Sequence, residues 1–139
     1  MSATELMTSN PVTVTPEATV AEVWDLMRER DIRHVPIVDG SGLIGMVSDR
    51  DLAHFDLARL FMTEGADAVR RELSTPIAKL MSTDVISVGP EADVAEIIDV
   101  LLQHRIGAVP VVRPETGDLI GIVSYVDVLD AVRDSLDED

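Results

Sequence analysis

Cysteine is absent from the 139-residue chain. That excludes a disulfide framework, a thiolate metal site, a catalytic cysteine and redox sensing through thiols. Aromatic side chains are scarce, with one Trp, one Tyr and two Phe, so any core must be largely aliphatic. No apolar run approaches the roughly 18 residues of a membrane-spanning helix, and the N-terminus lacks a basic-then-apolar leader. A soluble, cytoplasmic protein is expected. Positive charge is scarce too: eleven basic residues face 26 acidic ones, for a formal charge of −15. Such a surface repels nucleic acid and anionic membranes, since phosphate binding needs neutralising cations, and neither is expected as a partner. Ten of the eleven basic residues are Arg, Lys79 is the single lysine, and Asp outnumbers Glu 16 to 10. A salt-rich cytoplasm would favour that surface; a GC-rich genome would favour the arginines alone.

With 46% hydrophobic and 27% charged residues, the composition is globular, enough for one domain or for two small ones sharing a core. The chain repeats itself. Displaced by 74 residues, 7–38 falls on 81–112 with 13 of 32 positions identical, including Met7/Met81, Pro16-Glu-Ala over Pro90-Glu-Ala and Val35-Pro36 over Val109-Pro110. After a two-residue slip at the loops, 43–52 falls on 119–128 with six of ten identical. Fixed-period self-similarity marks a tandem of related structural units. The boundaries are a first unit over 1–62, a connector over 63–76 and a second unit over 77–139.

Within one unit, Val12-Thr-Val14 alternates between prolines and is predicted to be a short strand. Thr19-x-x-Glu22 and Asp93-x-x-Glu96 are capping boxes. Behind them, Val20, Val23, Trp24 and Met27, and likewise Val94, Ile97, Ile98 and Leu101, share one helical face. Val35-Pro-Ile-Val38 and Leu43–Val47 form a strand pair around the turn Asp39–Gly42, and Pro36, lacking an N–H, belongs at an edge or a strand start. Ser48-Asp-Arg-Asp51 opens a second helix. Each unit is therefore β-α-β-β-α. The fold class is α/β (α+β), two such units packed through their sheets with pseudo-two-fold symmetry and ligand-sized clefts between them. Helices are also expected over Ala3–Met7, after Ser2-x-x-Glu5; around Leu57, Leu60 and Phe61; over Ala66–Leu73; and at Ile77–Met81, entered through Thr75-Pro76. Phe55, Phe61 and Met62 are expected to pack rather than face solvent, the long connector covering a cleft mouth or a dimer face. The tail after Ala131 is read as a fraying helix end.

The string Met7…Val12-Thr-Val-x-Pro16…Val35-Pro-Ile-Val-Asp39…Gly45-Met-Val-Ser-Asp-Arg-Asp51 resembles a cystathionine β-synthase (CBS) domain. Met81…Ile86-Ser-Val-x-Pro90…Val109-Pro-Val-Val112…Gly121-Ile-Val-Ser-Tyr-Val-Asp127 resembles a second one. The likeness runs from about Thr4 to Val132. A tandem of this kind, a Bateman module, implies a regulatory, non-enzymatic part that binds adenosine-containing ligands such as AMP, ADP, ATP or S-adenosylmethionine, and that commonly dimerises.

The resemblance also assigns the ligand residues. Its nucleotide signature, Gly-h-x-Ser/Thr-x-x-Asp, stands here as Gly45…Ser48-x-x-Asp51 and Gly121…Ser124-x-x-Asp127. Asp51 and Asp127 would take ribose hydroxyls, and Ser48 and Ser124 neighbouring polar atoms; Val35, Val109 and Thr13 complete the candidate set. Ser-x-x-Asp ahead of an apolar run is equally a helix cap. Cations separate the two units: Arg33, His34 and Arg50 stand in the first, whereas the second has Gly107-Ala108 and Tyr125-Val126, with His104 and Arg105 only upstream. The first site is expected to take a phosphorylated ligand, the second a less charged adenosyl group or none. The alternative is that Arg33 and Arg50 pair with surface acids. Val12, Ile37, Ile86 and Val111 could flank adenine, with core packing as their other role.

His34, His54 and His104 are scattered without the i, i+4 spacing of a ligand pair, so no resident metal is expected; Mg²⁺ would enter only with ATP. No nucleophile–base motif or Gly-rich phosphate loop is present, so no catalysis is expected. A homodimerising interaction scaffold, with the Ser-x-x-Asp pairs serving only as caps, is the competing function. A regulatory piece of a larger protein is a third.

Overall fold

Val20, Val23 and Met27 recur at helical spacing, and in the computed structural model, which describes residues 1–53 and 56–137, they are the buried stripe of a helix. The elements are α1 (Ala3–Leu6), β1 (Thr8–Ser9), α2 (Val20–Arg30), β2 (His34–Asp39), β3 (Gly42–Ser48), α3 (Asp49–Ala53), α4 (Leu57–Glu64), α5 (Ala66–Leu73), a single 3₁₀ turn (Ile77–Lys79), α6 (Val94–His104), β4 (Ala108–Val112), β5 (Leu119–Ser124) and α7 (Tyr125–Asp137). His54 and Phe55 lie outside the described residues, so the readings made for them end there. No described helix is long and apolar enough to cross a membrane.

The chain forms two compact units, and their membership departs from chain order. One comprises Val12–Val85; the other comprises Met1–Pro11 together with Ile86–Asp139. The leading helix, expected with the first repeat, is thus built into the unit of the second. Ala3 N–H donates to Ala92 O at 2.7 Å and Thr4 N–H to Pro90 O at 3.1 Å. β1 pairs antiparallel with β5, Thr8 opposite Ile122 and Ser9 opposite Gly121. The segment leading the second repeat does the same in the other unit, where Ile77 N–H donates to Ala18 O at 2.7 Å and Ala78 N–H to Pro16 O at 3.2 Å. Ser82 there bridges Met46. The physical reason is edge satisfaction: β5 and β3 each present unpaired backbone groups on one side, and the short leading segments cover them.

In the Val12–Val85 unit the sheet is the β2–β3 hairpin, with His34 opposite Ser48 and Val35 opposite Val47. The strand expected over Val12–Val14 shrinks to a single parallel bridge, Val14 to Ile37. Pro16, like Pro90 after the matching Val88 bridge, supplies no ladder donor beyond it. Val14 N–H donates to Pro36 O at 3.2 Å. Backbone N and O of one strand residue point the same way, so the missing donor of Pro36 faces this sparse side and leaves the β3 ladder intact. Asp39 holds the hairpin turn, accepting from Ser41 N–H at 2.8 Å and from its hydroxyl at 2.6 Å. Val20, Val23, Met27, Val35, Ile37, Val47, Leu52 and Ile77 form the core. Thr19 caps α2 by accepting from Glu22 N–H at 3.2 Å.

Two expectations fail here. The helix expected over Ile77–Met81 is only the 3₁₀ turn, preceded by Pro76, because the chain turns back into the Ser82–Met46 bridge before a longer helix can propagate. Phe61 and Met62 do not pack within the chain: they lie 57% and 84% exposed on α4.

The other unit carries a three-stranded sheet, order β1–β5–β4. Val88 bridges Val111 as Val14 bridges Ile37. Ala3, Ile97, Leu101, Val109, Val111, Val123 and Val128 belong to its core. Asp93 caps α6, accepting from Glu96 N–H at 2.9 Å. α7 continues as helix to Asp137, with Tyr125, Leu129, Val132 and Leu136 exposed at spacings that share one face.

Candidate functional site

Each Ser-x-x-Asp motif lies where a hairpin hands over to a helix. Ser48 ends β3, and its hydroxyl oxygen accepts from Asp51 N–H at 3.3 Å. In return Ser48 N–H donates to Asp51 Oδ2 at 2.9 Å. Asp49 N–H donates to Arg33 O at 2.8 Å, which draws the start of α3 onto the residue ahead of β2. Because His34 pairs with Ser48, this short region gathers Arg33, His34, Ser48, Asp49, Arg50 and Asp51 at one end of the hairpin. Thr13, half-buried, precedes the Val14 bridge and runs alongside β2 at the same end.

The electrostatics follow from that gathering. Burial is the largest influence on the His34 imidazole and holds it below its ordinary value; Asp49 and Asp51 pull it up, and Arg33 and Arg50 push it down. His34 is therefore a neutral donor–acceptor at neutral pH, set among two carboxylates and two guanidinium groups. Arg33 and Arg50 are exposed, and neither makes an ion pair with another described residue. Val35 is fully buried, so only its backbone can meet a ligand.

The second unit repeats the frame and omits the charge. Ser124 N–H donates to Asp127 Oδ2 at 2.8 Å, and Asp127 N–H donates to Ser124 Oγ at 3.2 Å. Tyr125 N–H donates to Gly107 O at 3.0 Å. Ala108 stands opposite Ser124, where His34 stands in the first unit. Val109 is fully buried, as are Ile37 and Val111, which places all three side chains in the cores. His104 and Arg105 are exposed at the end of α6.

The chemistry left over is the same in both units. Each carboxylate has committed one oxygen, Oδ2, to the serine N–H, and its Oδ1 has no hydrogen bond to a described residue. Each serine oxygen receives a backbone N–H, and its hydroxyl hydrogen has no described acceptor. A half-buried carboxylate oxygen beside a free hydroxyl suits a neighbouring diol, which can donate to the one and accept from the other. No group of three or more His, Cys, Asp or Glu side chains among the described residues is arranged to hold a metal ion.

Sequence reasoning passed over two residues. Asp49 acts on His34 and ties α3 to Arg33, a role signalled only by its place inside the signature. Ser87 precedes the Val88 bridge as Thr13 precedes Val14; the 74-residue offset pairs them and could have found it.

Two units, each a hairpin-and-helix body closed by a Ser-x-x-Asp lock, define a tandem α/β binding-type module. The CBS domain family matches residues 3–58 and 77–134, and the chain belongs to that family. It is 31% identical to the CBS domain-containing protein YhcV of Bacillus subtilis over 91% of this chain and 82% of that protein. A Vibrio cholerae protein assigned to acetoin utilization, AcuB, superposes with a TM-score of 0.82 at 33% identity, covering 99% of this chain and 95% of the other. CBSX2, solved in complex with AMP, superposes with a TM-score of 0.78 at 25% identity, covering 96% of each.

Proposed function

We propose that the protein senses adenosine-containing small molecules, among them AMP, ADP, ATP and S-adenosylmethionine, and is a regulatory module rather than an enzyme. The observation that carries this reading is the Ser-x-x-Asp lock, built twice, each time with one carboxylate oxygen uncommitted. The AMP complex of CBSX2, similar along nearly the whole chain, supports the ligand class. Asp51 and Asp127 accept from ribose hydroxyls, and Ser48 and Ser124 donate to adjacent ligand oxygens. In the first unit Arg33, Arg50 and neutral His34 receive phosphate, with Thr13 and the Val35 backbone beside them. In the second, Ser124, Asp127 and the Val109 backbone serve a less charged adenosyl group, since Ala108 and Val126 stand where His34 and Arg50 would. Mg²⁺ arrives only with ATP. The output runs through a homodimer that presents itself differently to a regulated protein, and the exposed apolar face of α7 supports such an association.

Thermal unfolding with AMP, ADP, ATP with and without Mg²⁺, S-adenosylmethionine and GTP tests the reading. A ligand at 100 times its dissociation constant adds about 2.7 kcal/mol. A shift with an adenosyl compound and none with GTP, reduced in Asp51→Asn or Asp127→Asn, is expected. No shift with any compound favours the scaffold reading, for which the completeness of both caps without a ligand speaks.

A further inference from the structure

Cations are rare on this chain, yet three of the eleven basic residues converge on one surface hollow of the Val12–Val85 unit. The hollow measures about 460 Å³ and is lined by Arg70, Arg71, Ser74, Thr75, Pro76 and Lys79. None of its lining residues is acidic, on a protein with 26 acids. It shares no residue with either Ser-x-x-Asp site.

Both walls are held in place. One is the last turn of α5, anchored by buried Ala68. The other runs from Thr75 to Lys79 and is pinned by backbone bonds: Val20 N–H donates to Thr75 O at 2.9 Å, and Ile77 N–H donates to Ala18 O at 2.7 Å. Ile77 itself is fully buried in the core.

The usual reason for arginines at a helix C-terminus is to complement the exposed carbonyls. Here three of the last four carbonyls have partners already. Ser74 N–H and its hydroxyl both donate to Arg70 O, Thr75 N–H donates to Glu72 O at 3.1 Å, and the Thr75 hydroxyl donates to Arg71 O. Lys79 belongs to a different element and caps nothing in α5. Arg70 pairs with Asp67 across an exposed i, i+3 contact, the kind a bound anion displaces at little cost. Arg71 and Lys79 make no ion pair with a described residue.

We propose that this hollow binds a small, multiply charged phosphoryl anion, held by Arg71 and Lys79 with Arg70 swinging in from Asp67. Two cations carried by separately anchored segments suit a ligand with two or more anionic centres better than a single small ion.

The probe is inorganic pyrophosphate, titrated calorimetrically against the whole chain at low ionic strength, with inorganic phosphate in parallel. The expected result is a saturable pyrophosphate site at the hollow, separable by the variants from any binding at Arg33 and Arg50. Arg71→Ala/Lys79→Ala weakens it at least tenfold, Lys79→Gln weakens it less, and Arg33→Ala/Arg50→Ala leaves it within twofold. Circular dichroism confirms that each variant is folded. Absence of saturable binding overturns the proposal. So does unchanged affinity in Arg71→Ala/Lys79→Ala, or a tenfold loss in Arg33→Ala/Arg50→Ala, which assigns the anion to the adenosyl site or to the general field. Since the control variant disables the proposed phosphate contacts at Arg33 and Arg50, the adenosyl reading can fail while this one stands.

Discussion

An alanine at Gly121 should destabilise the protein through one methionine. Gly121 lies on β5, and Met7, from the leading segment, packs across it. A Cβ built at 121 would stand 2.7 Å from Met7 Cγ and 3.0 Å from Met7 Cβ, and would also collide with its sulfur. Favourable carbon–carbon separation is about 3.5–4.0 Å, so Met7 must retreat by roughly 1 Å. The thioether end can rotate away; Cβ and Cγ cannot without shifting the start of β1. If Met7 stays, overpacking costs about 1–3 kcal/mol. If it withdraws, the loss is a share of the roughly 1.5–3 kcal/mol for burying such a side chain, reduced because Met7 is half-exposed. Both routes give a loss of about 1–3 kcal/mol for Gly121→Ala. Urea unfolding followed by far-UV circular dichroism measures it. The decisive comparison is the double variant with Met7→Ala, which removes the collision. It should be more stable than the sum of the single effects by about 1 kcal/mol. Additivity within about 0.5 kcal/mol would refute the reasoning, because it would show that Met7 is not what Gly121 accommodates. Gly45→Ala with Met81→Ala is the internal replicate, with Met81 Cγ at 2.9 Å.

Ile77→Ala should cost about 2–5 kcal/mol in the same unfolding assay, since Ile77 is fully buried in the core of the first repeat's unit; a loss below 1 kcal/mol would contradict that placement. Asp127→Ala should cost about 1 kcal/mol without any ligand, the worth of a cap, and should also abolish adenosyl binding at that site in calorimetry. Burial holds His34 below its ordinary 6.5, so the unfolded chain takes up the proton first as pH falls. Its contribution to stability is present above about 6.5 and is lost as pH drops towards the lowered folded value, and His34→Gln should flatten the stability curve in that window. Asp39, lowered by its bonds to Ser41, acts with the same sign but only in the acid range below its ordinary 3.8; Asp39→Asn should leave the His34 window untouched.

Much of the fold was legible because local rules decided it. The stripes Val20-Val23-Met27 and Val94-Ile97-Leu101 needed only a period of 3.6. Thr19 and Asp93 cap the helices they precede, and both Ser-x-x-Asp motifs form the reciprocal bonds their spacing allows. The two-fold repetition predicted matched frames and the difference between them, since Arg33, His34 and Arg50 have no counterparts in the second repeat. Less legible were contacts that depend on distant chain. Phe61 and Met62 read as buried by type and are exposed, because apolar character does not say whether a partner exists. Val12–Val14 read as a strand by pattern, yet it has one bridging neighbour and flanking prolines.

By itself, the sequence determined two helix-and-hairpin bodies, their caps, their cores and the asymmetry of charge between their Ser-x-x-Asp motifs. These follow from hydrogen bonds and periodicities a few residues in span. Only the tertiary structure decided that each repeat's leading segment completes the other repeat's unit. Met7 lies on Gly121 and Met81 on Gly45 across more than thirty residues of chain. Sequence shows both methionines and both glycines. The choice of which meets which belongs to packing, because an open strand edge accepts whichever segment the folded chain can bring to it.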